Sequence, residues 1–118
     1  MSIGRIICLL VLVCVSAALT AGCTSYTFGD VAYADDTLHV MVNSGDEPRQ
    51  VTVQVTIFDT TGFAQAEVYR KAEYLDLVTG GNEYLVPISL RPGTYKIYLY
   101  IMVDGARTTS VIRDITVP

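Results

Sequence analysis

At 118 residues, 51% of them apolar and 17% charged, the chain has the make-up of one folded domain and is too short for two of ordinary size. Eight basic residues stand against twelve acidic ones, a net charge of −4 that argues against nucleic acid or anionic lipid as an electrostatic partner. One histidine and three cysteines leave little material for metal or nucleophile chemistry.

The first element is greasy. After Arg5, residues 6–19 run for 14 positions without a charge. A helix needs about 20 apolar residues to cross hydrocarbon, so this run suits the h-region of a signal peptide rather than a membrane span. Arg5 supplies a positive n-region, and Thr20, Ala21 and Gly22 supply small residues before a cleavage point. The segment Leu19-Thr20-Ala21-Gly22-Cys23 resembles the lipobox of prokaryotic lipoproteins, departing from it at Thr20, where that family usually places Leu. The resemblance implies cleavage between Gly22 and Cys23, lipid on the Cys23 sulfur, and attachment to the outer side of the cytoplasmic membrane, or to an outer membrane in a host that has one. An ordinary cleaved signal and an uncleaved anchor are the other readings of this leader.

Loss of 22 residues leaves 96 with a single cysteine, so no disulfide can form within the mature chain, and loss of Arg5 takes the charge to −5. Anchorage then rests on acyl chains, of which one binds weakly and two or three hold firmly. The expected organisation is a signal peptide over 1–22, a lipidated N-terminus and short tether over 23–30, and a domain over 31–118. Within the tether, residues 24–29 are polar and small.

From there apolar residues recur at every second position, and helical spacing is nowhere sustained. A short edge strand is expected over residues 31–34. Leu38, Val40 and Val42 alternate with His39, Met41 and Asn43 before a cluster of turn formers at residues 43–48. Val51, Val53, Val55 and Ile57 alternate with Thr52, Gln54 and Thr56, a strict period of two in β-branched residues. Residues 63–78 read as one long bent strand or as two short ones with a crossing loop, with a helix over residues 66–75 as the minority pattern. Residues 79–82 read as a turn. Val86, Ile88 and Leu90 then follow Tyr84, with Pro87 requiring an edge or a bulge because it cannot donate to a ladder. After Arg91-Pro92-Gly93, the residues Tyr95, Ile97, Leu99, Ile101 and Val103 alternate up to Asp104-Gly105, a dipeptide suited to a type I′ hairpin. A last strand is expected over about 108–117.

Short strands with a turn roughly every ten residues predict an all-β fold, a single antiparallel sandwich of about seven strands. The pattern Leu38-His39-Val40-Met41-Val42-Asn43-Ser44-Gly45 with Val51-Thr52-Val53, and Leu90-Arg91-Pro92-Gly93-Thr94-Tyr95 ahead of the penultimate strand, resembles the immunoglobulin-like modules of prokaryotic cell surfaces, close to the adhesion-related (CARDB-like) group. In that resemblance Tyr95 stands where such sandwiches carry a corner tyrosine whose hydroxyl bonds a nearby backbone group. The buried Trp of antibody domains is absent, since the chain has no Trp.

Catalytic chemistry finds few residues. A Ser-His-Asp triad would need His39, which sits in mid-strand with no serine elbow near it in sequence. His39 and Met41 share one strand face and could bind copper(I), but an ordinary exposed face is the simpler reading. Asp30, Asp35, Asp36, Asp46, Asp59 and Asp104 fall in expected turns without the spacing of a calcium loop, so backbone hydrogen bonding explains them. No cofactor and no resident metal are expected. Tyr98 and Tyr100, with Met102 beyond, point away from the core side of their strand and make a candidate face for a protein or glycan partner, the alternative being that a neighbouring segment covers them. The reading is a non-enzymatic, envelope-anchored binding or assembly module. An accessory subunit of a larger surface or transport complex is the competing interaction role, and a metal-binding module or hydrolase the distant one.

Overall fold

A computed structural model describes residues 25–118; the expected signal peptide, the Gly22–Cys23 cleavage point and the lipidated Cys23 lie outside them. Seven strands follow in chain order: β1 (Tyr26–Ala34), β2 (Thr37–Ser44), β3 (Arg49–Asp59), β4 (Ala66–Leu77), β5 (Gly80–Pro87), β6 (Gly93–Val103) and β7 (Ala106–Val117). They pair antiparallel in two sheets, a three-stranded one ordered β1-β2-β5 and a four-stranded one ordered β4-β3-β6-β7. This is the single antiparallel sandwich of seven strands that the alternating pattern predicts.

The period of two decides what is buried. Leu38, Val40 and Val42 of β2, Val51, Val53, Val55 and Ile57 of β3, and Ile97, Leu99 and Ile101 of β6 lie between the sheets, with Val86 and Tyr95 beside them. Each such side chain contributes roughly 1.5–3 kcal/mol of transfer free energy. Ile88, Leu90 and Val103, expected inside, pack only partly against this core, because they sit where their strands run out into turns. Tyr26, Phe28, Leu77, Tyr84 and Val117 complete it.

The tether expected over residues 24–29 is corrected. β1 begins at Tyr26, not near Val31, and Tyr26 and Phe28 are buried opposite Ser44 and Val42. Thr27, Gly29 and Asp30 hide this alternation in the sequence, and a register shift between Phe28 and Val31 breaks its period. Ser25 is already tied to the body, its carbonyl accepting from the Gly45 amide at 2.7 Å. Thr109 Oγ1 donates to the Tyr26 carbonyl at 2.9 Å, closing that side of the sandwich against β7.

Residues 66–77 form a single strand, so neither the helix nor the pair of short strands holds. Its pattern is broken because β4 is an edge strand whose core-side register positions, opposite Val55 and Val53, are taken by Lys71 and Glu73. The two side chains form an ion pair. Charges on the inner side of an edge discourage another chain from pairing there.

The turns follow residue chemistry. Asp104 (φ 51°) and Gly105 (φ 79°) make the expected hairpin, and Asp35 (φ 53°) and Asp36 (φ 54°) make an equivalent one between β1 and β2. Asp30 lies within β1 rather than in a turn. β5 starts at Gly80, earlier than the expected turn at residues 79–82 allows, and as an edge strand it accommodates Pro87. Asn82 fixes the crossing from one sheet to the other. Its amide oxygen accepts from Val78 N at 3.0 Å, while its nitrogen donates to the carbonyls of Val78 at 2.9 Å and Gly80 at 3.2 Å. Asn82→Ala is expected to cost about 1–2 kcal/mol, read as a lower denaturant midpoint at unchanged slope.

Two tyrosines lock the opposite end. Tyr95 donates to the Arg91 carbonyl at 2.7 Å, the corner bond that its position suggests. Tyr33 lies within hydrogen-bond distance of the Ile88 carbonyl at 2.9 Å and accepts from the Leu90 amide at 2.8 Å, joining the β1–β2 turn to the β5–β6 link. A side chain at Gly93 would place its Cβ 2.4 Å from Thr61 Oγ1, so glycine keeps the β3–β4 loop seated on the start of β6.

Candidate binding face

The outer side of the four-stranded sheet carries a set of side chains able to hold a ligand. Register places Thr52, Gln54, Thr56 and Phe58 of β3 beside Met102, Tyr100, Tyr98 and Lys96 of β6. On the flanks stand Tyr74, Ala72, Arg70 and Glu67 of β4, and Arg107, Ser110, Ile112 and Asp114 of β7. The face is not flat: Thr56 points outward yet keeps only 6% of its surface accessible. Around it lies a shallow depression of about 350 Å³ lined by Gln54, Thr56, Phe58, Arg70, Tyr98, Tyr100 and Arg107.

Two aromatic contacts shape this depression. The rings of Phe58 and Tyr98 meet edge to face, with centroids 5.4 Å apart and planes at 78°. The Arg107 guanidinium lies 4.0 Å over the centre of the Tyr100 ring, a cation–π contact. Arg70 donates through Nε to Glu67 Oε1 at 2.6 Å, and Lys96 stands 3.9 Å from Asp114. Tyr98, Tyr100 and Met102 are all half-buried and share this face. Tyr98 and Tyr100 line the depression, whereas Met102 stands outside it in register with Thr52 and Arg107.

Five lining residues escape a reading based on β6 alone: Gln54, Thr56, Phe58, Arg70 and Arg107. The alternation of β3 marks Gln54 and Thr56 as outward, and extending it by one step finds Phe58. Arg107 is harder. A register shift between Ile101 and Met102 leaves Arg107 opposite Met102 but moves Thr109 opposite Ile101. Thr108, at the shift, turns its hydroxyl to the Ile101 carbonyl at 3.1 Å.

The other candidate residues do not converge. His39 lies on the outer side of the three-stranded sheet with Nδ1 3.6 Å from Glu83 Oε1, and Met41 stands opposite Glu83 in register. Among the described residues no three His, Cys, Asp or Glu side chains are placed to hold a metal ion. Asp36 reaches the Ser89 hydroxyl at 3.3 Å. Asp59 accepts from the Thr61 amide at 2.9 Å, and that bond holds its carboxyl below the ordinary carboxylate range.

No family model matches the chain, and no curated protein matches it. Among solved structures it is similar to that of a candidate beta-galactosidase from Bacteroides fragilis, with a TM-score of 0.52 and 21% identity. The match covers 79% of this chain and 16% of that one. A likeness at that identity shows the fold alone, a sandwich module that also occurs within a much longer chain.

Proposed function

We propose that the chain is an envelope lipoprotein, held to the membrane through lipid on Cys23, that presents a non-enzymatic binding or assembly module whose contact surface is the outer face of the β4-β3-β6-β7 sheet. The observation that carries the contact surface is the stacked Arg107–Tyr100 pair beside the Phe58–Tyr98 pair, which collects aromatic and guanidinium groups in one half-buried place. Anchorage is supported by the leader, with its 14 uncharged residues, and by the lipobox-like segment ending at Cys23.

Two measurements test the two halves. Mass spectrometry of the mature protein is expected to find an N-terminal, acylated Cys23; an unmodified thiol or a retained leader overturns the anchor. For the surface, the protein carrying both Tyr98→Ala and Tyr100→Ala is expected to keep its melting curve and to lose at least about tenfold in partner recovered from crosslinked envelopes. Undiminished recovery overturns the contact surface, and a complex of fixed stoichiometry that survives the double substitution favours an accessory subunit.

A further inference from the structure

We infer that the depression between Arg70 and Arg107 is a binding site for a carboxylated sugar, one unit of an acidic glycan. The inference rests on the reading of this sheet face as the contact surface and gives that surface a ligand class. Charge comes first. The chain is acidic, with twelve carboxylates to eight basic groups, yet two guanidinium groups line this one depression. Glu67 engages Arg70 through Nε alone, which leaves the terminal nitrogens of that fork free of it. Among the described residues Arg107 has no acidic partner within ion-pair distance. Its guanidinium carbon lies over the Tyr100 ring, 4.0 Å from the centroid. A guanidinium held over an aromatic ring and not engaged by a carboxylate suits a carboxylate ligand taken in two parallel hydrogen bonds.

The rest of the lining decides between a sugar and an acidic peptide. Peptides dock by adding a strand to a free edge or by seating an apolar side chain in a pocket. Neither is offered here. The floor of the depression is β3 and β6, which are paired on both sides, and the edge strands β4 and β7 give it only the side chains of Arg70 and Arg107, so a strand added at either edge would lie beside the depression rather than in it. Phe58 is its one purely apolar side chain; the Gln54 amide, the Thr56 hydroxyl and the Tyr98 and Tyr100 phenols present donors and acceptors instead. Such a set matches hydroxyls spaced around a ring, and ring C–H groups can lie against the aromatic edges. About 350 Å³ is room for one or two sugar rings.

The test uses the full-length lipidated protein in detergent, titrated by calorimetry with trigalacturonic acid, its uncharged galactose counterpart and a short polyglutamate peptide. Trigalacturonic acid is expected to bind, the uncharged trisaccharide about tenfold or more weakly, and the peptide no better than the uncharged sugar. Raised salt weakens binding of the acidic sugar. Arg107→Ala and Arg107→Lys are both expected to lower its affinity about tenfold, because lysine carries the charge but not the planar fork. Arg113→Ala, on the other side of β7, leaves it unchanged. Equal binding of charged and uncharged sugars, tighter binding of the peptide, or no heat with any of the three from protein of unaltered melting overturns the inference. Failure of the sugar alone, with partner capture still lost in the double tyrosine variant, removes the ligand class and leaves the contact surface. Capture that survives that variant removes both.

Discussion

Val53→Asp is expected to unfold the domain. Val53 is fully buried at the centre of β3, in register with Glu73 on one side and Ile101 on the other. An aspartate there would bury a carboxylate among Val40, Leu99 and their neighbours in the core. A buried ion without a partner costs several kcal/mol even after relaxation, and the cavity left by the lost methyl groups adds to that. A domain of this size holds only about 5–15 kcal/mol in all. Circular dichroism of the variant should lose the β signal at room temperature. Val53→Ala, which removes the methyl groups without adding charge, should stay folded with a melting point lowered by several degrees. A cooperative melt of the aspartate variant at the parent's temperature would refute the burial of this face of β3.

Alkaline pH is expected to produce the second large loss. Three phenols of the core, Tyr26, Tyr84 and Tyr95, have their ionisation pushed up from the ordinary tyrosine range, burial being the first cause in each case. The Asp46 carboxylate adds to the effect at Tyr26, Glu73 at Tyr84 and Asp59 at Tyr95. The hydroxyls of Tyr26 and Tyr84 are buried without a hydrogen-bond partner, so the folded protein does little to stabilise a phenolate there. In the unfolded chain these groups release their protons near pH 10. Between that value and the folded one, the native state binds more protons than the unfolded state, and stability falls as pH rises. The contribution is intact below about pH 10 and is lost above it, at up to about 1.4 kcal/mol per pH unit for each such group. Guanidinium melts at about pH 8 and about pH 11 should show the midpoint dropping steeply. Tyrosinate absorbance from these three side chains should appear together with unfolding rather than before it. A midpoint that does not move across this range would place the phenols in contact with water.

The legible part of the fold lies where one strand face is purely apolar. Residues 51–57 and 95–103 declare themselves because Val, Ile, Leu and Tyr take every second place, and the two strands pair with each other in unbroken register. The edges are less legible. β4 puts Lys71 and Glu73 where a period of two demands apolar residues, a protection of the edge that looks in sequence like the end of a strand. β1 carries its register shift in its own middle, so Tyr26 and Phe28 fall out of phase with Val31 and Tyr33. The candidate site divides in the same way. Tyr98 and Tyr100 are found from the alternation of β6, but Arg107 and Arg70 reach the depression from β7 and β4 through cross-strand pairing, which a single chain does not display until its register is known.

The bond from the Gly45 amide to the Ser25 carbonyl has a mechanical consequence if the proposed anchor at Cys23 holds. With Ser25 pinned, the proposed anchor at Cys23 is two Cα steps away, a reach of no more than about 7 Å. On the proposed anchoring the body has no leash. The hairpin tip at Asp104–Gly105 and the bend between β2 and β3 would ride at the level of the lipid phosphates. Twelve-residue strands of roughly 40 Å would carry the Asp35–Asp36 turn and the fully exposed Phe63 to the far end, like a post set in the ground rather than a buoy on a rope. Whatever meets this protein would then have to come down to it.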